Sequence, residues 1–307
     1  MELFIEERKL IAKEKWEMLL ESVHSSFDDC ETNKERAKRH LLNAIDAALR
    51  QRTSQAEKVG ILFSGGVDST FIALWCKKNS IPFTCYTVGI KNSQDLMYAR
   101  TIAETYHFPH KHVELSLDDF ETVIKKTMEI LNESEIVWVS VGSVFYAAAT
   151  LALSNRDTVL LTGLGAEELF AGYQRHEAAL EKSHAAVHEE CWNGMKNMWH
   201  RDLLRDYMIA SHLNVDVRTP FMDKTVIMEA MKIHPMHKIS QDEKKIIIRE
   251  IAEEYGLAKE FAWRKKKAAQ YGSNFVNGMD KLAAQKGFKT KKEYLQDLFK
   301  GMESRLS

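Results

Sequence analysis

Proline is scarce, with four residues in 307, and no low-complexity stretch accompanies it, so little of the chain reads as long disordered linker. Cysteine is as sparse. Cys30, Cys76, Cys85 and Cys191 form no Cys-x-x-Cys pair and read as reduced, mostly buried thiols of a cytoplasmic protein. An excess of either charge is also missing. Lys plus Arg number 43 against 44 Asp plus Glu, a net charge of -1, which removes any global electrostatic case for binding nucleic acid or a membrane. No uninterrupted apolar run approaches the roughly 18 residues of a transmembrane helix. The opening MELFIEERKL is charged and helical in character, which predicts no signal peptide. What remains is 45% hydrophobic and 28% charged, a composition that supports one large globular domain or two ordinary ones.

Against that background one stretch stands out, VGILFSGGVDST at residues 59–70. An apolar run stops at Ser64-Gly65-Gly66, and an amphipathic segment over 70–78 follows, the pattern of a buried strand, a tight turn and a helix. Paired glycines let the backbone turn sharply and bring N–H groups close to a ligand. The helix start aims unpaired N–H groups and its positive dipole end at the same point, so an anion belongs there. Ser64, Ser69 and Thr70 add hydroxyls. Asp68 fits an anion site only if a cation, Mg²⁺ being the natural candidate, stands between it and a phosphate. Unlike a Walker loop the stretch has no Gly-Lys-Ser/Thr, so a phosphate-binding lysine has to come from elsewhere.

Taken in order, apolar spacing predicts helices over 2–24 and 34–50 packing on the outside of the core. Strands are predicted over 59–63, 83–88, 112–115 and 157–161, alternating with helices over 95–106, 120–131 and 144–153. Alternation of this kind implies a parallel sheet covered on both faces, with ligands at the carboxyl ends of its strands. The turns at Gly65-Gly66 and Gly163–Gly165 would then face one crevice. From residue 174 onward no strand is predicted; the segment reads as a helical half closing over the sheet. The expected organisation is a helical N-terminal extension, 1–57, and a domain, 58–307, made of a sheet half (58–175) and a helical half (176–307).

Four motifs, SGGVDS (64–69), TGLGAEELFAGY (162–173), RTPFMD (218–223) and WRKKKAAQYGS (263–273), together resemble the synthetase domain of asparagine synthetases, in the family's order. The forms TG-x-GA-acidic-E and KxAxQYGS are most similar to divergent asparagine synthetase-like proteins. The resemblance implies a doubly wound α/β sheet of the adenine-nucleotide α-hydrolase (PP-loop) type with helical N- and C-terminal additions. It implies ATP and Mg²⁺ as cofactors, adenylation of a carboxylate with release of pyrophosphate, and transfer of the acyl group to an amine, with aspartate and ammonia as the default pair in amino-acid biosynthesis. By matching positions, Ser64, Gly65, Gly66, Asp68 and Ser69 would cradle the β- and γ-phosphates, and Asp68 and Glu167 would hold Mg²⁺. Val88, Thr162 and Gly163 would line the adenosine pocket. Lys266 would be the pyrophosphate-binding lysine, and Lys245 and Arg249 a further anion-binding pair on a helix; the catalytic set is Lys266, Asp68 and Glu167.

Two departures from the family pattern bear on function. Asparagine synthetases carry an N-terminal glutaminase domain with a cysteine nucleophile at its start; here Glu2 follows Met1 and residues 1–57 are too few for it, so a separate glutaminase or a homodimer is a conceivable partner. Leu164 stands where the family has Glu, a change at a position associated with amide formation. Alternatives therefore remain: a PP-loop enzyme adenylating tRNA or another small molecule, with tRNA not favoured because no cysteine pair for thiolation exists, and a non-catalytic nucleotide-binding scaffold. Outside the motifs, His107, His110 and His112 read as surface residues, and His184 with His188 as at most a weak zinc pair without a third ligand. Arg175 or His176 could touch substrate. Asp216 and Arg218 read as salt-bridged scaffold.

Overall fold

The computed structural model describes residues 2–27, 29–265 and 267–306, with side chains to residue 302. Its centre is a five-stranded, all-parallel sheet built from β3 (Val59–Leu62), β4 (Phe83–Ile90), β5 (His110–Leu115), β6 (Val159–Leu161) and β7 (Asp216–Arg218), in the order β5-β4-β3-β6-β7. The chain moves outward from β3 through β4 to β5, then returns to the other side of β3 for β6 and β7. The order thus reverses between β3 and β6, and the crevice beyond their carboxyl ends is where such sheets take ligands.

Burial explains why these segments are strands. All eight residues of β4 are buried, as expected of a strand covered on both faces. Val59, Ile61 and Cys85 join a core on one face, with Phe71 and Trp75 of the helix Val67–Lys78. Tyr86 and Leu160 join the opposite face with Phe145 and Ala149. Val88 packs there too, against Phe120, Met128 and Phe275. The sheet is therefore doubly wound, as expected.

The helix Ile136–Ser154 is the one described helix long and apolar enough to cross a membrane, and half of its apolar window is buried inside the fold. Gly142, Ala148, Ala149 and Ala152 line its buried side, and these small residues let it lie close to its neighbours. Its length, greater than the expected 144–153, comes from Glu135, whose carboxylate caps it by accepting the Trp138 N–H at 2.8 Å.

Three expectations are corrected. The predicted helix over 2–24 is a short antiparallel hairpin, β1 (Ile5–Glu6) and β2 (Lys9–Leu10), followed by a helix only at Lys13–His24. Glu7 and Arg8 both take positive φ, 48° and 64°, which a helix cannot hold, and the Ile11 N–H bonds the Phe4 carbonyl at 3.0 Å. The second correction is β7, a strand in the half expected to have none. The N-terminal helices also lie deeper than expected: Trp16 and Leu20, with Leu41 and Ile45 of the helix Lys34–Thr53, share the core of Val59 and Ile61. Trp16 Nε1 donates to the Met195 carbonyl at 3.0 Å.

Candidate active site

The turn after β3 is shaped by Gly65, whose φ of +64° and close approach to the Ala99 backbone nitrogen (3.1 Å from an added Cβ) leave no place for a side chain. Gly66 then caps the helix Val67–Lys78. Ser64 Oγ accepts the Gly66 N–H at 3.4 Å, and Ser69 Oγ donates to the Gly66 carbonyl at 3.3 Å, so both hydroxyls stay at the loop. On the far side Arg264 donates to the Ser64 and Gly65 carbonyls at 3.2 and 3.1 Å. Its guanidinium lies 4.2 Å over the Tyr98 ring and 3.7 Å from Asp95. Burial lowers its pKa from the ordinary value, while Asp95 works in the opposite direction. Arg264 thus occupies the Ser64 and Gly65 carbonyls and holds a positive charge directly against the loop.

The second turn, after β6, runs through Thr162 and Gly163 into the short helix Ala166–Leu169. The two turns touch: a Cβ on Gly163 would lie 2.9 Å from Asp68 Cβ. Thr162 Oγ1 accepts the Leu164 N–H at 3.2 Å and so holds its own turn. Asp68 and Glu167 then converge on one ammonium, Lys245 Nζ, at 2.6 Å and 2.7 Å. Lys245 precedes the helix Ile246–Glu254 with φ +59°. Burial opposes its charge, but Asp68 and Glu167 outweigh burial and raise its pKa. Gly172 makes the contact possible, since a Cβ there would collide with Glu167 Oε2 and lie 2.7 Å from Lys245 Cε.

Arg249, one turn along that helix, donates to the carbonyls of Lys244 (2.7 Å), Ala262 (2.6 Å) and Arg264 (3.2 Å). It therefore braces the 262–265 segment as well as lining a cavity of about 180 Å³ with Asp68, Glu167, Lys245, Arg264 and Lys265. The cavity thus has Asp68 and Glu167 on the sheet side, and opposite them a mixed wall in which Glu177, Asp242 and Glu243 accompany the cations. Asp68 Oδ1 is buried with no hydrogen-bond partner. That orphaned oxygen, beside a second carboxylate, makes a hard oxygen donor set suited to Mg²⁺.

Lys266 lies outside the described residues; its neighbour Lys265 lines the cavity. Val88 is buried in β4 and does not line the acid-bearing cavity. Arg175 and His176 do not reach it either. Arg175 lies 4.1 Å over the Tyr173 ring and pairs with Glu190 at 2.9 Å. His176 is fully buried, its Nδ1 accepting the Tyr173 N–H at 3.1 Å. His110 bonds Thr87 Oγ1 at 2.9 Å on the edge strand β5. His188 accepts from Trp192 Nε1 at 3.0 Å, and no group of three or more metal-ligating side chains forms among the described residues. Arg218 pairs with Asp216 at 2.7 Å, as the scaffold reading expects.

Two features carried no local signal. One is Arg264 on the loop carbonyls, which a four-residue basic run conceals. The other is Glu168, which points away from Glu167 into a buried network with Arg201 and with Arg175 Nη2 at 3.5 Å. Arg201 sits on a π-helical segment, Trp199–Leu204, far along the chain.

A parallel sheet whose switch-point crevice joins a serine-glycine loop, two carboxylates and a set of cations defines an α/β protein of the nucleotide-binding class. The chain belongs to the asparagine synthase family, whose model matches residues 40–186 and 179–300. It is 30% identical over 299 residues to a Methanocaldococcus jannaschii protein designated a glutamine-hydrolysing asparagine synthetase, covering 85% of this chain and 54% of the relative. It is 28% identical to the glutamine-hydrolysing asparagine synthetase of Cricetulus griseus, covering 84% and 47%. The chain spans about half the length of these curated relatives and corresponds to their synthetase domain. Among solved structures it resembles NMN synthetase from Francisella tularensis, with a TM-score of 0.43 at 12% identity over 88% of this chain and 93% of that one.

Proposed function

We propose that the chain is an ATP- and Mg²⁺-dependent synthetase that adenylates a carboxylate, by default aspartate, and passes the acyl group to ammonia or another amine. The observation that carries this reading is the convergence of Asp68 and Glu167, from the turns after two adjacent strands, on one point of a cavity that Lys245, Arg249, Arg264 and Lys265 also line. In the proposed reaction a carboxylate oxygen bonds the α-phosphorus of ATP as the α–β phosphoanhydride breaks and pyrophosphate leaves. The amine then bonds the acyl carbon, AMP leaves, and the amine proton passes to solvent.

In this scheme the Gly65 and Gly66 backbone with the Ser64 and Ser69 hydroxyls orients the β- and γ-phosphates, while Arg264 keeps the loop carbonyls turned away. Asp68 and Glu167 hold Mg²⁺, which when bound neutralises charge on the pyrophosphate leaving group. Lys245 and Arg249, with Lys266 by resemblance, supply cations to the same group. Val88, Thr162 and Gly163 would belong to the adenosine side. A separate glutaminase or a second copy of the chain would be the macromolecular partner, in the cytoplasm.

The test is pyrophosphate release from Mg·ATP with aspartate, other amino acids and RNA supplied in turn, beside Asp68→Asn. Release that needs one carboxylate and is lost in the variant supports the synthetase. Release that needs RNA assigns the tRNA-modifying alternative, and bound ATP without release under any condition assigns the non-catalytic one.

A further inference from the structure

Lys245 stands on the oxygens that the divalent cation needs. Its ammonium contacts Asp68 Oδ2 at 2.6 Å and Glu167 Oε1 at 2.7 Å, and the residue is 4% exposed. We propose that Lys245 is the site's own counter-ion, which must leave Asp68 and Glu167 before a divalent cation can bind, and which moves onto the phosphates of the incoming nucleotide. This deepens the proposed synthetase reading and rests on it for the identity of the nucleotide.

The argument is one of space and charge. A Mg²⁺ ion takes oxygens at about 2.0–2.1 Å in a near-octahedral shell. The point between Asp68 and Glu167 cannot hold that shell and an ammonium together, and two cations at such range repel strongly in a buried site. Nor does the ammonium satisfy the site, because Asp68 Oδ1 keeps no partner. Withdrawing Lys245 takes a cation at 2.6 and 2.7 Å away from both carboxylates at once, a loss that entry of the metal offsets. The wall around the ammonium carries Arg249, Arg264 and Lys265 together with Glu177, Asp242 and Glu243. A nucleotide's phosphates bring more negative charge than any one of those carboxylates and bring it beside the metal, so they are the partner we assign to the displaced ammonium.

Two geometric features suit such a movement. Lys245 joins the helix Ile246–Glu254 with a left-handed φ of +59°, so its side chain leaves from a bend and not from a regular helical face. Gly172 lets the side chain lie against Glu167, with an added Cβ only 2.7 Å from Lys245 Cε. Metal and nucleotide uptake are thereby coupled: metal alone competes with a covalently tethered ammonium, whereas metal and nucleotide together compensate for its removal.

The probe is Mn²⁺, titrated into the full chain by electron paramagnetic resonance, without nucleotide and then with a non-hydrolysable ATP analogue. Without nucleotide, Lys245→Met and Lys245→Gln are expected to bind Mn²⁺ at least tenfold more tightly than the wild type. The analogue should tighten Mn²⁺ binding to the wild type more than to either variant, and Asp68→Asn should lose the site. Equal or weaker Mn²⁺ binding by both folded variants, checked by circular dichroism, would overturn the proposal.

Should neither variant fold, amine labelling of the wild type with peptide mapping gives an independent answer. Saturating Mn²⁺ should raise labelling at Lys245, and unchanged labelling with Mn²⁺ bound would also overturn the proposal. Mn²⁺ tightening without any pyrophosphate release would leave the counter-ion role standing and remove the synthetase reading. Carboxylate-dependent release with unaltered Mn²⁺ binding would do the reverse.

Discussion

His176 is a side chain whose chemistry is fixed by where it is packed. It is fully buried, its Nδ1 accepts the Tyr173 N–H, and its Nε2 has no partner. Burial, helped by Arg175 and Lys238, lowers its pKa from 6.5 to about 3. As pH falls through that window the unfolded chain takes up a proton that the native imidazole refuses. This contribution to stability is therefore complete above pH 6.5 and lost progressively toward about 3. Burial lowers His110 and His188 to about 4, with the same sign. Urea unfolding of the wild type should show lower stability at pH 4.5 than at pH 7.5. His176→Asn, which keeps an acceptor for Tyr173, should show a smaller difference; each pKa unit removed corresponds to about 1.4 kcal/mol. An unchanged difference would show that His176 titrates normally in the fold.

At the scale of elements, the short helix Ala166–Leu169 has only one turn and needs outside support to aim Glu167. Glu168 provides it, buried at 1% exposure and tied to Arg201 on the π-helical segment. Arg201→Met removes the nearer of the two cations on Glu168 and leaves Arg175 at 3.5 Å, which should cost about 1–3 kcal/mol in a urea titration. A loss below about 1 kcal/mol, the range of exposed pairs, would mean that the helix is held by packing alone.

The same elements show what could be read from the sequence. The loop at 64–69 and the turn at 162–168 were legible because their geometry is local: glycine where the chain turns, hydroxyls and acids at fixed offsets. Strand β7 was not. It has three residues, Asp216 and Arg218 flank a single Val217, and its apolar signal is too short to separate from a helix. The hairpin β1–β2 was hidden because Leu3, Ile5, Leu10 and Ile11 also fit a helical period, while the left-handed turn at Glu7 and Arg8 carries neither Gly nor Asn. Lys245 was read as an anion-binding residue, but its partners Asp68 and Glu167 lie 177 and 78 residues away, a convergence that only the sheet's strand order produces.

In the whole molecule, the N-terminal helices are part of the same body as the sheet. Trp16, Leu20, Leu41 and Ile45 are fully buried among residues of β3 and of the helices behind it, and Arg52 pairs with Glu2 and Asp223 at 2.9 and 3.0 Å. Removing residues 1–57 would expose that surface, so the truncated chain is expected to be insoluble or to lack a cooperative thermal transition. A soluble, cooperative, ATP-binding fragment would show that the extension is a separate unit.

The site unites the loop after β3, the turn after β6 and the helix beginning at Lys245, and its central proposed chemistry is transfer of a carboxylate oxygen to AMP. The most direct measurement uses the carboxylate that supports pyrophosphate release, labelled with ¹⁸O, together with Mg·ATP and ammonia. Adenylation followed by amine attack predicts AMP carrying one ¹⁸O atom from the carboxylate. Unlabelled AMP, or label recovered in inorganic phosphate beside ADP, would contradict the account.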